Sequence, residues 1–129
     1  MRAQYEDVSQ KCLVKHPGKF SIDNIANFAS NHGYDVQTHG YLASVRYGIK
    51  MEKNGKIHII YFEKRVTIGD VLECSAGLER IKRLFDSQGR PVYCAIISAS
   101  EITEPLTSLG TTFGVNVWDE NEFHQHLHI

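Results

Sequence analysis

The charged residues in the middle of the chain have the types and spacing for binding phosphate groups. Between residues 46 and 65, six basic side chains stand against two acidic ones, a local net charge of +4 in a chain whose overall net charge is −1. The basic ones are Arg46, Lys50, Lys53, Lys56, Lys64 and Arg65, and the acidic ones are Glu52 and Glu63. Ammonium and guanidinium groups at this density can displace the counterions of a phosphate backbone. The segment is therefore a candidate nucleic-acid contact surface.

The final third of the chain has the opposite charge. Residues 91–129 contain no Lys or Arg and have a net charge of −5. The acidic residues are Glu101, Glu104, Asp119, Glu120 and Glu122. Such a surface suits a basic protein, for example a toxin or nuclease that the chain would neutralise or regulate. The pI of about 6.6 argues against a histone-like protein that holds nucleic acid by bulk charge.

Metal and nucleophile chemistry has weaker signals. His124 and His128 would share one face of a helix, as zinc ligands do, but no third ligand is placed beside them, so a polar chain end is the better interpretation. Cys12, Cys74 and Cys94 are odd in number and lack CxxC spacing, which argues against a disulfide framework. Cys74 and Cys94 lie in apolar patterns and are predicted core thiols. No GxSxG, P-loop or GxGxxG motif is present.

The length of 129 residues predicts a single domain, with residues 1–20 as an amino-terminal extension. The longest apolar run, Ala95-Ile96-Ile97, is too short for a transmembrane helix. The first ten residues include acids and no apolar stretch, so no signal peptide is expected. Together with the cysteine pattern, this predicts a cytoplasmic protein without membrane attachment.

A hairpin must position most of the basic residues. Two β-rich runs, 41–52 and 56–64, flank Asn54-Gly55, the pair that tight hairpin turns favour because both residues tolerate positive φ. In the second run Ile57, Ile59 and Tyr61 alternate with His58, Ile60 and Phe62, so both faces are largely apolar. This pattern is typical of a central strand that is covered on two sides.

The remaining elements follow from capping residues and helical spacing. Ser21 and Gly33 bound a predicted helix over 21–32, and residues 34–38 form a short strand. An apolar stripe predicts a helix over 69–87; it consists of Val71, Cys74, Leu78, Ile81 and Phe85. A buried strand at 91–98, a helix from 100 to 114, a strand at 115–118 and a helix capped by Asp119 complete the chain. The order α-β-β-β-α-β-α-β-α predicts an α/β mixed central sheet with helices on both faces.

Four stretches, taken in order, resemble the Mrr-type branch of the restriction-endonuclease-like PD-(D/E)xK superfamily. They are residues 25–36 with Gly33-Tyr34-Asp35-Val36, the hairpin 48–65, the helix 71–84, and the late elements 94–98 and 113–119. The resemblance covers most of the chain, from Ser21 to Phe123. It implies a restriction-endonuclease-like α/β fold and a nucleic-acid partner, with DNA favoured over RNA.

The resemblance also implies where catalytic residues would lie. Such nucleases hold Mg²⁺ with an aspartate on one hairpin strand and a Glu or Gln on the next, and a lysine two residues further assists the attacking water. Lys64 matches that lysine, but Phe62 stands at the acid position and Lys50 near the aspartate position. The resemblance therefore implies a degenerate site without a metal cofactor, in a nucleic-acid-binding or accessory protein.

Two other functions stay open at this point. Glu52 and Glu63 are the only acids of the hairpin, and with Lys64 they would be the catalytic residues of an active Mg²⁺ nuclease with relocated ligands. Adjacent strand residues point to opposite faces, however, so Glu63 and Lys64 are expected to face apart. The other alternative is a protein-interaction or immunity module that uses the acidic final third. A homodimer is compatible with any of the three.

Overall fold

The computed structural model describes residues 22–127, and their elements follow the predicted order. They are α1 (Ile22–Asn31), β1 (Asp35–Leu42), β2 (Val45–Lys53), β3 (Lys56–Glu63), α2 (Ile68–Phe85), β4 (Val92–Ser98), α3 (Glu104–Phe113), β5 (Val115–Trp118) and α4 (Glu120–Leu127). A short 3-10 helix, Asp86–Gln88, follows α2. Predictions on residues 1–21, including the amino-terminal extension and the Ser21 cap, and on His128 lie outside the described residues.

The five strands form one mixed sheet in the order β1-β2-β3-β4-β5. The pairs β1–β2 and β2–β3 are antiparallel, whereas β3–β4 and β4–β5 are parallel. Strand β3 is therefore central, as the apolar character of both its faces predicts. No helix among residues 22–127 is long and apolar enough to cross a membrane.

Alternation along β3 divides the core into two layers. Ile57 and Ile59 pack with Val71 and Leu78 of α2 and with residues of α3 on one face. On the other face, Ile60 packs with Ile25 of α1 and Phe123 of α4. The sheet is thus covered by α2 and α3 on one side and by α1 and α4 on the other, which confirms the prediction of helices on both faces.

The first hairpin differs from the prediction of one strand over 41–52. The chain turns at Ala43 and Ser44, whose φ values of 50° and 64° are left-handed, and β2 begins only at Val45. Left-handed backbone costs a residue with a Cβ about 1 kcal/mol, so Ala-Ser gives no turn signal in a sequence. The prediction was wrong here because the sheet imposes this turn, in contrast to Asn54-Gly55, where the residues favour it.

Strand β1 also extends beyond the predicted residues 34–38. Its Gly40 pairs with Tyr47 of β2, and the Tyr47 ring lies over the glycine so closely that an added Cβ would clash with the phenol. The aromatic ring buries the backbone that glycine leaves bare, which lets the edge strand continue to Leu42.

Helix α3 begins at Glu104 and not near Ser100, where the sequence predicts it. The Ser98 side chain accepts a hydrogen bond from the Ser100 amide (3.1 Å) and donates one to the Ser100 carbonyl (2.9 Å), which holds residues 98–100 in a tight turn. Pro105, in the first turn of α3, has no amide hydrogen and so suits the start of a helix. Asp119 and Glu122 form the predicted cap of α4 by exchanging hydrogen bonds between side chains and amides.

Candidate functional site

The three parallel strands define two edges of the molecule. We call the carboxyl edge the one where β3, β4 and β5 end and where α2, α3 and α4 begin. The amino edge is the opposite one, with the Asn54-Gly55 turn, the starts of β3 and β4, and the ends of α1 and α2. In open α/β sheets ligands commonly bind outside the carboxyl ends of the strands, so the carboxyl edge is the first place to look for a site.

Two cavities meet at the carboxyl edge beside the end of β3. One, of about 300 Å³, lies against α2 and is lined by residues that include Asp70, Glu73 and Cys74. The other, of about 280 Å³, lies towards α1 and is lined by residues that include Ile22 and Phe62. Arg46, Tyr61 and Glu63 line both cavities. Sequence reasoning missed this arrangement because it depends on how far the β2–β3 hairpin coils between the two helical layers.

Carboxylates dominate the cavity against α2. Burial raises the pKa of Glu63, and the negative charges of Asp70 and Glu73 raise it further. Asp70 is partly occupied by its helix cap, since it exchanges hydrogen bonds with Thr67. Arg46 and Arg80 line the same cavity and offset part of the negative charge. The cavity therefore holds a mixture of charges in which acids crowd one another.

The residues at the motif positions do not converge there. Phe62 lines the cavity towards α1, on the opposite face of β3 from Glu63 and its acidic neighbours. Lys64 and Arg65 are exposed just beyond the end of β3. The Lys64 carbonyl accepts a hydrogen bond from the Ser100 hydroxyl at 2.5 Å, which fixes the backbone there. The hairpin thus presents an apolar ring where the resemblance implies an acid.

Lys50 and Glu52 lie at the other end of the hairpin. Glu52 forms ion pairs with Lys50 (2.7 Å) and with Arg90 (2.6 Å), and Arg90 also donates to the Gly55 carbonyl at 3.3 Å. Glu52 pairs with Ile57, and Glu63 lies six residues farther along β3, about 20 Å away at the rise of a strand. The structure therefore separates the two acids that a relocated nuclease centre would need.

These positions do not fit the metal centre that the resemblance implies. Lys50 faces away from Phe62, because its strand neighbours Ile49 and Met51 belong to the α1 side of the core. Within residues 22–127, no group of three His, Cys, Asp or Glu side chains is placed to hold a metal ion. We therefore derive no chemical step through a bound metal.

The ion pairs of Glu52 make a testable contribution to stability. Hydrogen bonds from Lys50 and then from Arg90 lower the pKa of Glu52. Because the unfolded chain then takes up the proton first, this stabilisation is present above the ordinary pKa of 4.5 and is lost as the pH falls through the lowered value. We expect Glu52→Gln to lower the free energy of unfolding by about 1 kcal/mol at neutral pH.

Urea unfolding at neutral pH and at about pH 3 would measure this difference. The deficit of Glu52→Gln should be absent at the acid pH, where wild-type Glu52 is also neutral. Glu101→Gln, at an exposed loop position, is the matched control and should leave stability unchanged. An equal deficit at both pH values would mean that the loss does not come from the charge of Glu52.

Charge is distributed unequally between the two edges. Among the described residues, acids outnumber bases at the carboxyl edge: Asp23, Glu63, Asp70, Glu73, Glu101, Glu104, Asp119, Glu120 and Glu122 against Arg46, Lys64, Arg65 and Arg80. Bases outnumber acids at the amino edge: Lys53, Lys56, Lys82, Arg83 and Arg90 against Asp35, Glu52 and Asp86. The charge asymmetry of the sequence thus becomes an acidic edge and a basic edge, and the six basic candidates of the hairpin are divided between them.

The hairpin tip carries the exposed basic residues of the amino edge. Lys53 and Lys56 pair across the Asn54-Gly55 turn, and both are exposed. The Lys53 ammonium donates to the His32 carbonyl at 2.7 Å and lies 5.1 Å from the ring centroid of Tyr34. One lysine of the pair is therefore held in place, and its charge stays at the surface.

The weaker candidates have structural surroundings. His124 lies 3.7 Å from Glu120 and stacks on Phe28 with ring centroids 4.1 Å apart. Cys94 is buried, and Cys74 is half-buried beside it, as predicted for core thiols. A hydrogen bond from Cys74 and then burial raise the pKa of the Cys94 thiol. These groups are explained by packing.

Comparison with known proteins supports the fold. The sequence matches no family model and no curated protein. Among solved structures, AF1548, a protein of unknown function, superposes with a TM-score of 0.62 at 13% identity, over 76% of this chain and 55% of its own length. The small subunit of the heterodimeric restriction endonuclease R.BspD6I gives 0.54 at 13%, over 86% and 67%. A repair endonuclease from Pyrococcus abyssi gives 0.55 at 12%, over 92% and 47%.

The chain spans about half the length of the first and third of these proteins. At such low identity the likeness concerns the fold alone. It agrees with the mixed five-stranded sheet, its central β3 and the helices on both faces. The protein therefore has a restriction-endonuclease-like α/β fold.

Proposed function

We propose that this protein binds nucleic acid through its basic amino edge and that its nuclease-like centre is degenerate, as in a non-catalytic relative of the Mrr-type branch. The observation that carries the proposal is the segregation of charge, which places Lys53 and Lys56 at an exposed tip within the basic edge. A phosphate backbone is attracted to such an edge and repelled by the acidic one.

The tip has the shape as well as the charge for this role. At Gly55 an added Cβ would have no atom within 4 Å, so a nucleic-acid backbone can approach the turn closely. Arg90 holds the turn from below through the Gly55 carbonyl (3.3 Å) and Glu52 (2.6 Å). The hairpin is thus braced, and its lysines project from a fixed backbone. A braced site loses less conformational entropy when it binds.

The proposal of a degenerate centre is supported by the carboxyl edge. Phe62 occupies the acid position, and Glu52 and Glu63 lie on opposite halves of the hairpin. Two of the structural neighbours carry endonuclease names, one for restriction and one for repair, which favours DNA over RNA as the partner. The proposed protein binds this DNA without a metal cofactor.

Fluorescence anisotropy with a labelled DNA duplex tests both parts. We expect binding at about 50 mM salt that weakens steeply towards about 200 mM, with a slope of log K against log salt of about −2.7 if three phosphates are contacted. The duplex should stay intact after incubation with Mg²⁺ or Mn²⁺. Absence of binding at low salt would overturn the proposed function. Metal-dependent cleavage that disappears in Lys64→Ala would overturn the degenerate centre.

A protein-interaction function is the second candidate, because carboxylates surround the two cavities of the carboxyl edge. A basic protein would find there both negative charge and concave surface. This candidate predicts that substitutions at Lys53 and Lys56 are silent, whereas changes at Glu101 and Glu104, which are exposed, weaken the complex. Failure of the duplex to bind would favour it.

A further inference from the structure

A row of aromatic rings lies at the amino edge, on the face of the sheet that α1 and α4 cover. The rings of His58 and Tyr93 stack with centroids 5.2 Å apart and an angle of 24°. Tyr34 meets His58 edge-on, with centroids 5.9 Å apart and an angle of 88°. Lys53 lies over the Tyr34 ring at 5.1 Å. The row therefore runs from the basic hairpin tip across to β4.

Tyr93 is the exposed member of this row. It is 42% exposed, whereas the other six residues of β4 are buried. The sequence predicts 91–98 as a uniformly buried strand, so Tyr93 is the exception to that prediction. The β4–β5 pairing starts at Cys94 and Val115, one residue later, so no residue of β5 pairs with Tyr93 on the side away from His58. One side of the Tyr93 ring is packed and the other side is open.

His58 supports the ring from its packed side. It is half-buried, and burial, followed by the charge of Lys56, lowers its pKa. At neutral pH the imidazole is therefore uncharged and packs as an aromatic ring. The rings that the sequence offers as candidates for stacking are placed differently: Tyr47 is buried, Tyr61 and Trp118 are half-buried, and Tyr41 is exposed but lies at the carboxyl edge.

We propose that Tyr93, supported by His58 and Tyr34, stacks on an unpaired nucleobase while Lys53 and Lys56 hold the adjoining phosphates. An exposed aromatic ring beside basic residues is the usual arrangement for binding single strands, since every base has a flat face that can stack. The inference rests on the proposed function and makes it narrower: the partner is nucleic acid with an unpaired segment.

The experiment compares two labelled single strands of equal length, a thymidine dodecamer and an abasic dodecamer with the same phosphates. We expect the wild-type protein to bind the thymidine strand about tenfold more tightly. Tyr93→Ala should remove this difference by weakening only the thymidine strand, and Tyr93→Phe should retain it. The comparison in the wild-type protein needs no variant, so it decides the question even if Tyr93→Ala folds poorly.

Phe113→Ala is the matched control. Phe113 is 40% exposed, close to the value for Tyr93, and ends α3 at the same edge on the other face of the sheet. This variant should keep the tenfold preference. Equal binding of the two dodecamers by the wild-type protein, or an unchanged preference in folded Tyr93→Ala, would overturn the stacking site while leaving phosphate binding in place. Failure of both strands and of duplex DNA to bind would overturn the proposed function itself.

Discussion

Replacing Lys53 and Lys56 together by alanine is expected to weaken duplex binding about 50-fold at about 100 mM salt. The same variant should flatten the slope of log K against log salt by about 1.8, because each lost phosphate contact removes about 0.9. Both side chains are exposed, and only the bond from Lys53 to the His32 carbonyl is lost, so the melting temperature should change little. Anisotropy titrations at several salt concentrations measure the affinity and the slope together.

Lys64→Ala/Arg65→Ala is the control for this prediction. It removes the same amount of positive charge from two exposed residues of the same hairpin, but at the carboxyl edge, among carboxylates. We expect it to change the affinity by less than about threefold. A large loss in this control, with Lys53→Ala/Lys56→Ala silent, would place the nucleic acid at the carboxyl edge, where the resemblance implies a nuclease centre. Equal losses in both would mean diffuse attraction without a defined site.

Gly110→Ala is expected to lower the free energy of unfolding by about 3 kcal/mol and the melting temperature by about 10 °C. Gly110 is buried in α3 where the helix crosses β5. An added Cβ would clash with the backbone carbonyl oxygen of Val115 and lie 3.0 Å from Cγ2 of Val117. Because a backbone carbonyl cannot rotate away as a side chain can, α3 has to move off the sheet. Thermal and urea unfolding measure the loss.

Gly69→Ala is the matched substitution in the other helix of that face. At Gly69, near the start of α2, the nearest atom to an added Cβ would be Oγ1 of Thr67 at 3.7 Å, an ordinary contact. Alanine should therefore raise stability by about 0.5 kcal/mol through its better helix propensity. A Gly110→Ala protein as stable as wild type would contradict the close packing of α3 on β5.

The order of the elements and the two-sided central strand could be predicted from local patterns. Alternating apolar residues in β3, the Asn54-Gly55 turn, the stripe that begins at Val71 and the cap at Asp119 each depend on residues close together in sequence. Burial then favours one arrangement, since a strand that is apolar on both faces must lie between two layers of helices. The fold class was therefore determined by the sequence.

The turn at Ala43-Ser44 and the exposure of Tyr93 were decided by the tertiary structure. The first is a left-handed turn made from residues that do not favour it, held by pairing between β1 and β2. The second depends on β5 beginning one residue too late to pair with Tyr93. Neither feature has a local pattern, because each is set by where a neighbouring strand starts or ends.

The sequence by itself determined that charge is asymmetric, with a basic hairpin and an acidic final third. Only the tertiary structure decided where that charge lies. Strand β3 carries Lys56 at one edge and Glu63 at the other, so one hairpin contributes to both a basic and an acidic surface. The physical reason is the length of a strand, because eight residues span about 26 Å and separate charges that are neighbours in the sequence.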